Sequence, residues 1–219
     1  MQSAVAFWDK AAEKYAKSPI GDVEAYEYTL GRTRAYLSPT DTVLELGCGT
    51  GSTALLLAAD VERLVATDIS GAMIEIAAGK ARAQGVSNVA FRAAGLLDDA
   101  IDPGPYDAVL ALNLLHLIDD VETALRRING LLKPGGIFVS KTVCTPAAGA
   151  PLKFRLLRAT IPIMQFVGRA PFVRFTTRAD LEHLIAAAGF RILEAGDHPA
   201  PSRFIVARKE EPGSERRAG

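Results

Sequence analysis

Residues 43–52 read VLELGCGTGS: an apolar run closing on Glu45-Leu46, then Gly47, Gly49 and Gly51 alternating with Cys48 and Thr50. Three glycines directly behind a strand mark a point where the chain turns sharply and a ligand approaches bare backbone. A nucleotide-like ligand is the expectation. The dinucleotide fingerprint sets its third glycine three residues after its second, whereas Gly51 follows Gly49 by two and Ser52 stands at the fingerprint position. The spacing argues against NAD. Glu45, just upstream of the loop, is an awkward neighbour for a pyrophosphate but suits a ligand bearing an ammonium or sulfonium group.

The next landmark is Ala66-Thr67-Asp68-Ile69-Ser70, where a second apolar run ends in an acid. Asp68 lies about 20 residues past the loop, the position at which an acid meets ribose hydroxyls in doubly wound folds. An aspartate that merely caps the following helix is the plainer reading of the same residue. Coupled to the glycine loop, the ribose reading is favoured.

Working outward, short apolar runs alternate with amphipathic stretches, as an α/β fold with a parallel sheet requires. Strands are predicted over 42–46, 63–67, 88–92, 106–112, 137–142, 190–194 and 203–208. Helices are predicted over 52–59, 70–84 with Ser70 as N-cap, from Asp119 or Asp120 to about 132, and 177–188 closed by Gly189. The run at 106–112 is apolar almost throughout, which suits a strand buried on both faces. Lys133-Pro134-Gly135-Gly136 is expected to stop the preceding helix and break the chain before the fifth strand. The pattern fails over 146–176, where Pro162 and Pro171 would interrupt a long helix, and the segment reads as an inserted cap. The expected organisation is one domain over 1–208, with N-terminal helices in 1–40 and a disordered tail over 209–219.

Composition limits the alternatives. The chain is 219 residues long and 49% hydrophobic, enough to bury a sizeable core. Lysine plus arginine equals aspartate plus glutamate at 25 each, so there is no general electrostatic case for a nucleic-acid partner. Cys48 and Cys144 match neither a disulfide framework nor a metal-ligand spacing. Asp9, Lys10 and Glu13 interrupt what a signal peptide would need as an apolar core, and no run reaches membrane-span length. The expected location is cytoplasmic, with no metal.

These motifs resemble the class I S-adenosylmethionine-dependent methyltransferases. VLELGCGTG is similar to the family's first motif, ATDIS to its acidic second-strand end, YDAVLALNLLHLIDD to its fourth-strand motif, and LLKPGGIFVS to its turn into the fifth strand. Order and spacing agree over roughly residues 7–208, and the resemblance is closest to small-molecule members of the ubiquinone/menaquinone type. It implies a Rossmann-like, seven-stranded, mostly parallel sheet with helices on both faces. It also implies S-adenosyl-L-methionine as cofactor and S-adenosyl-L-homocysteine as product. On this resemblance Glu45, Gly47, Gly49 and Gly51, with Cys48 in the same loop, cradle the methionine part; Asp68 takes the ribose; Ile69 and Met73 pack near the adenine. FWDKAAEKY is similar to the family's N-terminal helix, from which an aromatic, here Tyr15, folds over the cofactor. The chain departs from the pattern after the third strand, where many relatives hold the adenine amino group with an aspartate. Here Phe91 to Leu97 contains none, so Asp98, or the backbone at Gly95 or Leu96, would take that role.

Methyl transfer from a sulfonium mainly needs the nucleophile aligned with the methyl carbon, and a base helps only where the acceptor must lose a proton. Asn113 and His116, at the end of the fourth strand, are the catalytic candidates. Asn113 would bond the cofactor's amino group or the acceptor. His116 would accept a proton, against the plainer reading of a histidine satisfied within its loop. His183 and His198 read as structural or solvent-facing. Trp8, Tyr26 and Tyr28 are candidate walls of the acceptor site. No acid occurs between Glu122 and Asp180, while Lys153, Arg155, Arg158, Arg169, Arg174 and Arg178 share the cap region with many apolar residues. A core-covering cap with solvated charges, a lid over an apolar acceptor, and a surface resting on anionic lipid all fit that composition. The predicted function is methyl transfer to a small, apolar acceptor. A quinone or lipid methyltransferase at a membrane surface, touching it through the basic cap, is one alternative. A cofactor-binding protein without turnover is the other.

Overall fold

The computed structural model describes residues 4–145, 160, 164–165 and 170–211. Seven strands form one sheet in the order β3-β2-β1-β4-β5-β7-β6. They are β1 (Thr42–Leu46), β2 (Arg63–Asp68), β3 (Val89–Ala93), β4 (Tyr106–Leu112), β5 (Leu132–Val143), β6 (Phe190–Asp197) and β7 (Ser202–Lys209). The first five pair in parallel, and β7 runs antiparallel to both β5 and β6. Order reverses at β1, which lies between β2 and β4, and such a reversal leaves a crevice beyond the carboxyl ends of the strands.

Crossover helices are α3 (Ser52–Leu57), extended by a 3-10 turn over Ala58–Asp60, then α4 (Gly71–Gln84) and α5 (Val121–Leu131); α6 (Arg178–Ala187) precedes the final hairpin. Alternation along the strands sends Leu44, Leu46, Val109 and Phe138 into a core on one face, under Leu125, Ile128 and Ile185. Val43, Leu64, Leu110, Val139 and Phe204 build a second core on the other face, where Leu30 packs. Residues 108–111 of β4 are fully buried, as its unbroken apolar run requires.

Two further helices, α1 (Ala4–Lys17) and α2 (Val23–Arg34), precede the sheet. Asp9 fastens α1 to the start of α4, its Oδ1 accepting from Ser70 Oγ at 2.6 Å and Ala72 N at 3.2 Å. Arg32 of α2 forks onto Glu194 of β6, donating from Nε at 2.9 Å and Nη2 at 2.6 Å.

The structure corrects several predicted boundaries. Residues 133–136 do not form a break before the fifth strand. Tyr106 pairs with Leu132 and pairing resumes at Ala108 with Ile137, so β5 follows α5 directly and the Pro-Gly-Gly stretch is absorbed as an irregularity within it. Gly135 has φ +73°, and a Cβ on Gly136 would lie 3.0 Å from the Asp107 carbonyl, so the glycines permit this course. The closing hairpin is longer than expected because pairing continues to Asp197 with Arg203, whose side chains form an ion pair at 3.1 Å. Lys209 belongs to β7, not to a tail; its Nζ donates to the Asn129 and Leu132 carbonyls. The expected disordered tail over 212–219 lies outside the described residues, as does most of the expected cap, including Lys153, Arg155, Arg158 and Arg169. No helix among the described residues is long and apolar enough to cross a membrane.

Candidate functional site

At the reversal point a cavity of about 560 Å³ opens beyond β1, β2 and β4, with α1 and the start of α2 along one side. The glycine loop forms its floor. Cys48 N donates to the Thr67 carbonyl at 2.9 Å and Gly51 N to the Cys48 carbonyl at 3.0 Å, so the loop is tied to β2 and folded on itself. Gly47 has φ +67°, and a Cβ there would lie 2.8 Å from Leu114 Cδ1; both facts demand glycine. Gly51 has φ +74° for a different reason. A Cβ there would lie 2.7 Å from the Phe91 ring and 2.8 Å from Ala77 Cβ, so its bareness lets α3 start against β3 and α4. Gly47, Cys48 and Gly49 line the cavity and Gly51 does not.

Asp68 ends β2 beside this loop. Its Oδ2 accepts from Gly49 N and its Oδ1 from Ser70 N, both at 2.9 Å. Ser70 is the N-cap of α4 and accepts from Met73 N at 3.1 Å, so Asp68 is not the cap. It braces the loop and also lines the cavity.

Electrostatics give the site its character. Glu45 is 3% exposed and its Oε2 has no hydrogen-bond partner among the described residues. Burial pushes its carboxyl up to about 8; a hydrogen bond from the Ala54 amide opposes the rise and the Asp68 charge adds to it. Burial also raises Asp68, against the pull of the Ser70 and Gly49 amides. The Tyr15 phenol is raised by withdrawal from water and then by Asp68 and Glu45; the Cys48 thiol is raised well above its ordinary value by burial and the same two acids. Every one of these groups is driven toward its neutral form, the mark of a pocket short of positive charge. A ligand carrying a cationic group answers that shortage and supplies the partner that Glu45 Oε2 lacks. The residues present therefore fit S-adenosylmethionine, with its ammonium and sulfonium, better than a dinucleotide.

Of the other residues predicted for the cofactor, Tyr15, Ile69, Met73, Leu96 and Asn113 line the cavity, while Gly95 does not. Asp98, the substitute suggested for the adenine, accepts from Gly95 N at 2.6 Å and shapes that turn instead. On the acceptor side Trp8 and Tyr26 line the cavity, but Tyr28 stacks on His198 with ring centroids 4.1 Å apart. Asn113 has φ +59°, the one described non-glycine residue with positive φ, and its N–H donates to the Lys141 carbonyl at 2.7 Å. That left-handed turn sends the chain out of β4 at the mouth of the site. His116 lies in the 3-10 turn Leu115–Leu117 and does not line the cavity. Burial lowers its imidazole to about 4, and its Nδ1 has no partner among the described residues. The structure brings Asn113 to the cofactor pocket and leaves His116 behind the turn. His183 is exposed, as expected.

Three residues were not anticipated. Asp9 holds α1 across the site, as described above. Lys80 of α4 donates to the Thr50 carbonyl and hydroxyl at 3.2 and 3.0 Å, clamping the loop from outside. Lys141, 9% exposed, reaches the cavity from β5. Only Lys141 had a legible signal, a lysine inside the apolar run IFVSKTV.

Comparison with known proteins agrees with this geometry. Residues 43–136 match a family model described as a methyltransferase domain. The chain is 33% identical over 110 residues to an uncharacterized methyltransferase of Mycobacterium bovis, covering 49% of this chain and 53% of that protein. It is 31% identical over 157 residues to a highly reducing polyketide synthase of Pyricularia oryzae, covering 65% of this chain but 6% of the synthase. The chain thus spans about half the length of the mycobacterial relative and a small fraction of the synthase. A solved structure described as the DhpI-SAH complex superposes with a TM-score of 0.72 at 22% identity, over 95% of this chain and 96% of that one. The domain match spans the strand, glycine loop and acidic strand end that build the pocket, so the part of this chain that forms the floor of the site is similar to a methyltransferase domain.

Proposed function

We propose that the chain transfers a methyl group from S-adenosylmethionine to a small acceptor with an apolar body, by in-line displacement. The observation that carries this reading is the buried, half-unpartnered Glu45 carboxyl facing the same cavity as the glycine loop and Asp68. The cofactor, when bound, supplies an electrophilic methyl group on a sulfonium whose leaving group is already in place. Glu45 would pair with positive charge on the cofactor, Asp68 would use its remaining lone pairs on the ribose, and the bare backbone of Gly47 and Gly49 would accept close approach. Asn113 would orient the cofactor's amino group or the acceptor from the end of β4. Trp8, Ile20, Leu117 and Phe172 are among the remaining lining residues and would give an apolar acceptor its wall. Alignment of two bound reactants supplies about 7–11 kcal/mol of barrier lowering by itself, so no dedicated base is required.

The test incubates the pure protein with methyl-labelled S-adenosylmethionine and a cell extract, then partitions the product between organic solvent and water. Label in the organic phase is the expected result. Label confined to water would overturn the apolar acceptor, and no transfer to any extract, with cofactor still bound, would favour the non-catalytic alternative.

A further inference from the structure

The acceptor side of the cavity contains a charge that the proposed methyl transfer leaves without a role. Lys141 is the one basic side chain among the described residues that line it. Its place in the sheet makes it unusual. It stands near the end of β5, paired with Leu112 of β4 on one side and Phe204 of β7 on the other. Strand alternation puts it on the same face as Val139, the face that carries the second apolar core. An apolar residue would satisfy every such neighbour.

Lys141 is nonetheless 9% exposed, and its Nζ makes no hydrogen bond or ion pair to any described residue. The nearby acid is Asp22, the exposed N-cap of α2, which lines the same cavity and already accepts from Ala25 N at 2.9 Å. It lies beyond ion-pair distance. Lys141 Nζ is not among the enclosed side-chain atoms that lack a partner, so the ammonium opens onto the cavity, and a ligand that covers it must pair with it or pay for stripping its water. The cavity's other charged lining residues, Glu45 and Asp68, belong to the cofactor half. Asn113 N donates to the Lys141 carbonyl, so Lys141 is tied through backbone to the residue that follows β4, and both residues line the cavity.

We propose that Lys141 is a specificity-determining residue that pairs with an anionic oxygen group of the acceptor, so that the acceptor is a small apolar acid, a carboxylate or phosphonate on a hydrophobic body. The inference rests on the methyltransferase reading of the cavity and adds the chemical class of what enters beside the cofactor. It joins two features of that half of the pocket: the apolar wall of Trp8, Ile20, Leu117 and Phe172, and the one cation among the described lining residues. A neutral acceptor would leave the ammonium buried and unpaired in the loaded enzyme.

Trp8, the only tryptophan in the chain and a lining residue, reports binding by its fluorescence. The protein is first saturated with S-adenosylhomocysteine, then titrated with octanoate, octylphosphonate and the neutral octanamide. The expected result is at least tenfold tighter binding of the acids than of the amide. Lys141→Met removes a charge that has no ion-pair partner among the described residues while keeping a long side chain, so the variant is expected to fold; it should abolish the preference and leave the S-adenosylhomocysteine Kd within about threefold. Lys141→Arg should keep the preference. Equal binding of acid and amide by the unmodified protein, or a preference that survives Lys141→Met, overturns the proposal. A tenfold loss of S-adenosylhomocysteine affinity in Lys141→Met would assign the lysine to the cofactor's own carboxylate and also overturn it. Failure of the unmodified protein to bind S-adenosylhomocysteine would instead bring down the methyltransferase reading, and this proposal with it.

Discussion

The two halves of the cavity are built on different terms. In the cofactor half the groups that shape the floor are tied down, since Asp68 accepts two backbone amides, Ser70 caps α4 and Lys80 clamps the loop, and among its acids Glu45 keeps one oxygen without a partner. In the acceptor half, Lys141 is without a hydrogen-bond or ion-pair partner among the described residues, Asn113 sits in a left-handed turn, and Trp8, Ile20, Leu117 and Phe172 supply apolar wall, with Asp22 on the same lining. Groups that brace a binding loop can be saturated with internal hydrogen bonds. Groups that meet a ligand directly, Glu45 in one half and Lys141 in the other, are left free, because a group that loses its water without gaining a partner rejects what cannot pair with it.

The largest effect is expected where the tied half is untied. Asp68→Ala removes the acceptor of the Gly49 and Ser70 amides as well as a ribose ligand. Hydrogen bonds to a charged group contribute about 1.5–3 kcal/mol each, so calorimetry should show S-adenosylhomocysteine binding weakened at least tenfold. Retention of full affinity would mean that the acid serves only the loop and that the two halves differ less than their geometry indicates.

Glu45 gives a pH signature that sharpens the contrast. Its folded-state value of about 8 lies above the ordinary 4.5, so the folded protein binds a proton that the unfolded chain has released. The sign follows: this group makes folding stability fall as pH rises from the ordinary carboxylate range toward 8, and the effect levels off above. Cofactor affinity should run the other way, because a cationic ligand needs the ionised carboxylate. Between pH 6 and 8 the affinity for S-adenosylmethionine should rise, by up to about tenfold per pH unit if only the ionised form binds. Glu45→Gln should flatten that slope and raise the melting temperature at pH 8 and above. A flat profile in the unmodified protein would separate Glu45 from the cofactor.

The smallest effect is expected at His116. With the imidazole outside the cavity and its value lowered to about 4, it is neutral throughout the working range. His116→Gln should leave kcat/KM within about threefold, with no inflection from this residue above pH 6. A loss greater than a hundredfold would return the histidine to the reaction.

The sequence was most informative where function depends on neighbours along the chain. The strand, glycine loop and helix around residues 43–52 and the acid at Asp68 follow from local spacing, because a sharp turn needs glycine wherever the rest of the fold lies. The helix stops and most strand positions are legible for the same reason, since periodicity and caps are local. The irregular start of β5 is not, because Pro-Gly-Gly reads as a break until β4 is present to pair on both sides of it. Neither is the difference between Gly47 and Gly51, which share a conformation but face Leu114 and Phe91 respectively.

Side-chain destination is where local reading ends. His116 and Asn113 are three residues apart on one motif, yet the turn that Asn113 makes carries His116 away from the cavity. Tyr26 and Tyr28 differ by two positions on α2, and only Tyr26 reaches the cavity, because His198 from the closing hairpin holds Tyr28. The sequence by itself determined the glycine loop and the acidic strand end at the floor of the pocket, through motifs whose geometry is set locally along the chain. Tertiary structure alone decided that Lys141 is buried and turned into that pocket, because its surroundings come from β4, β7 and α2, brought together only when the sheet closes.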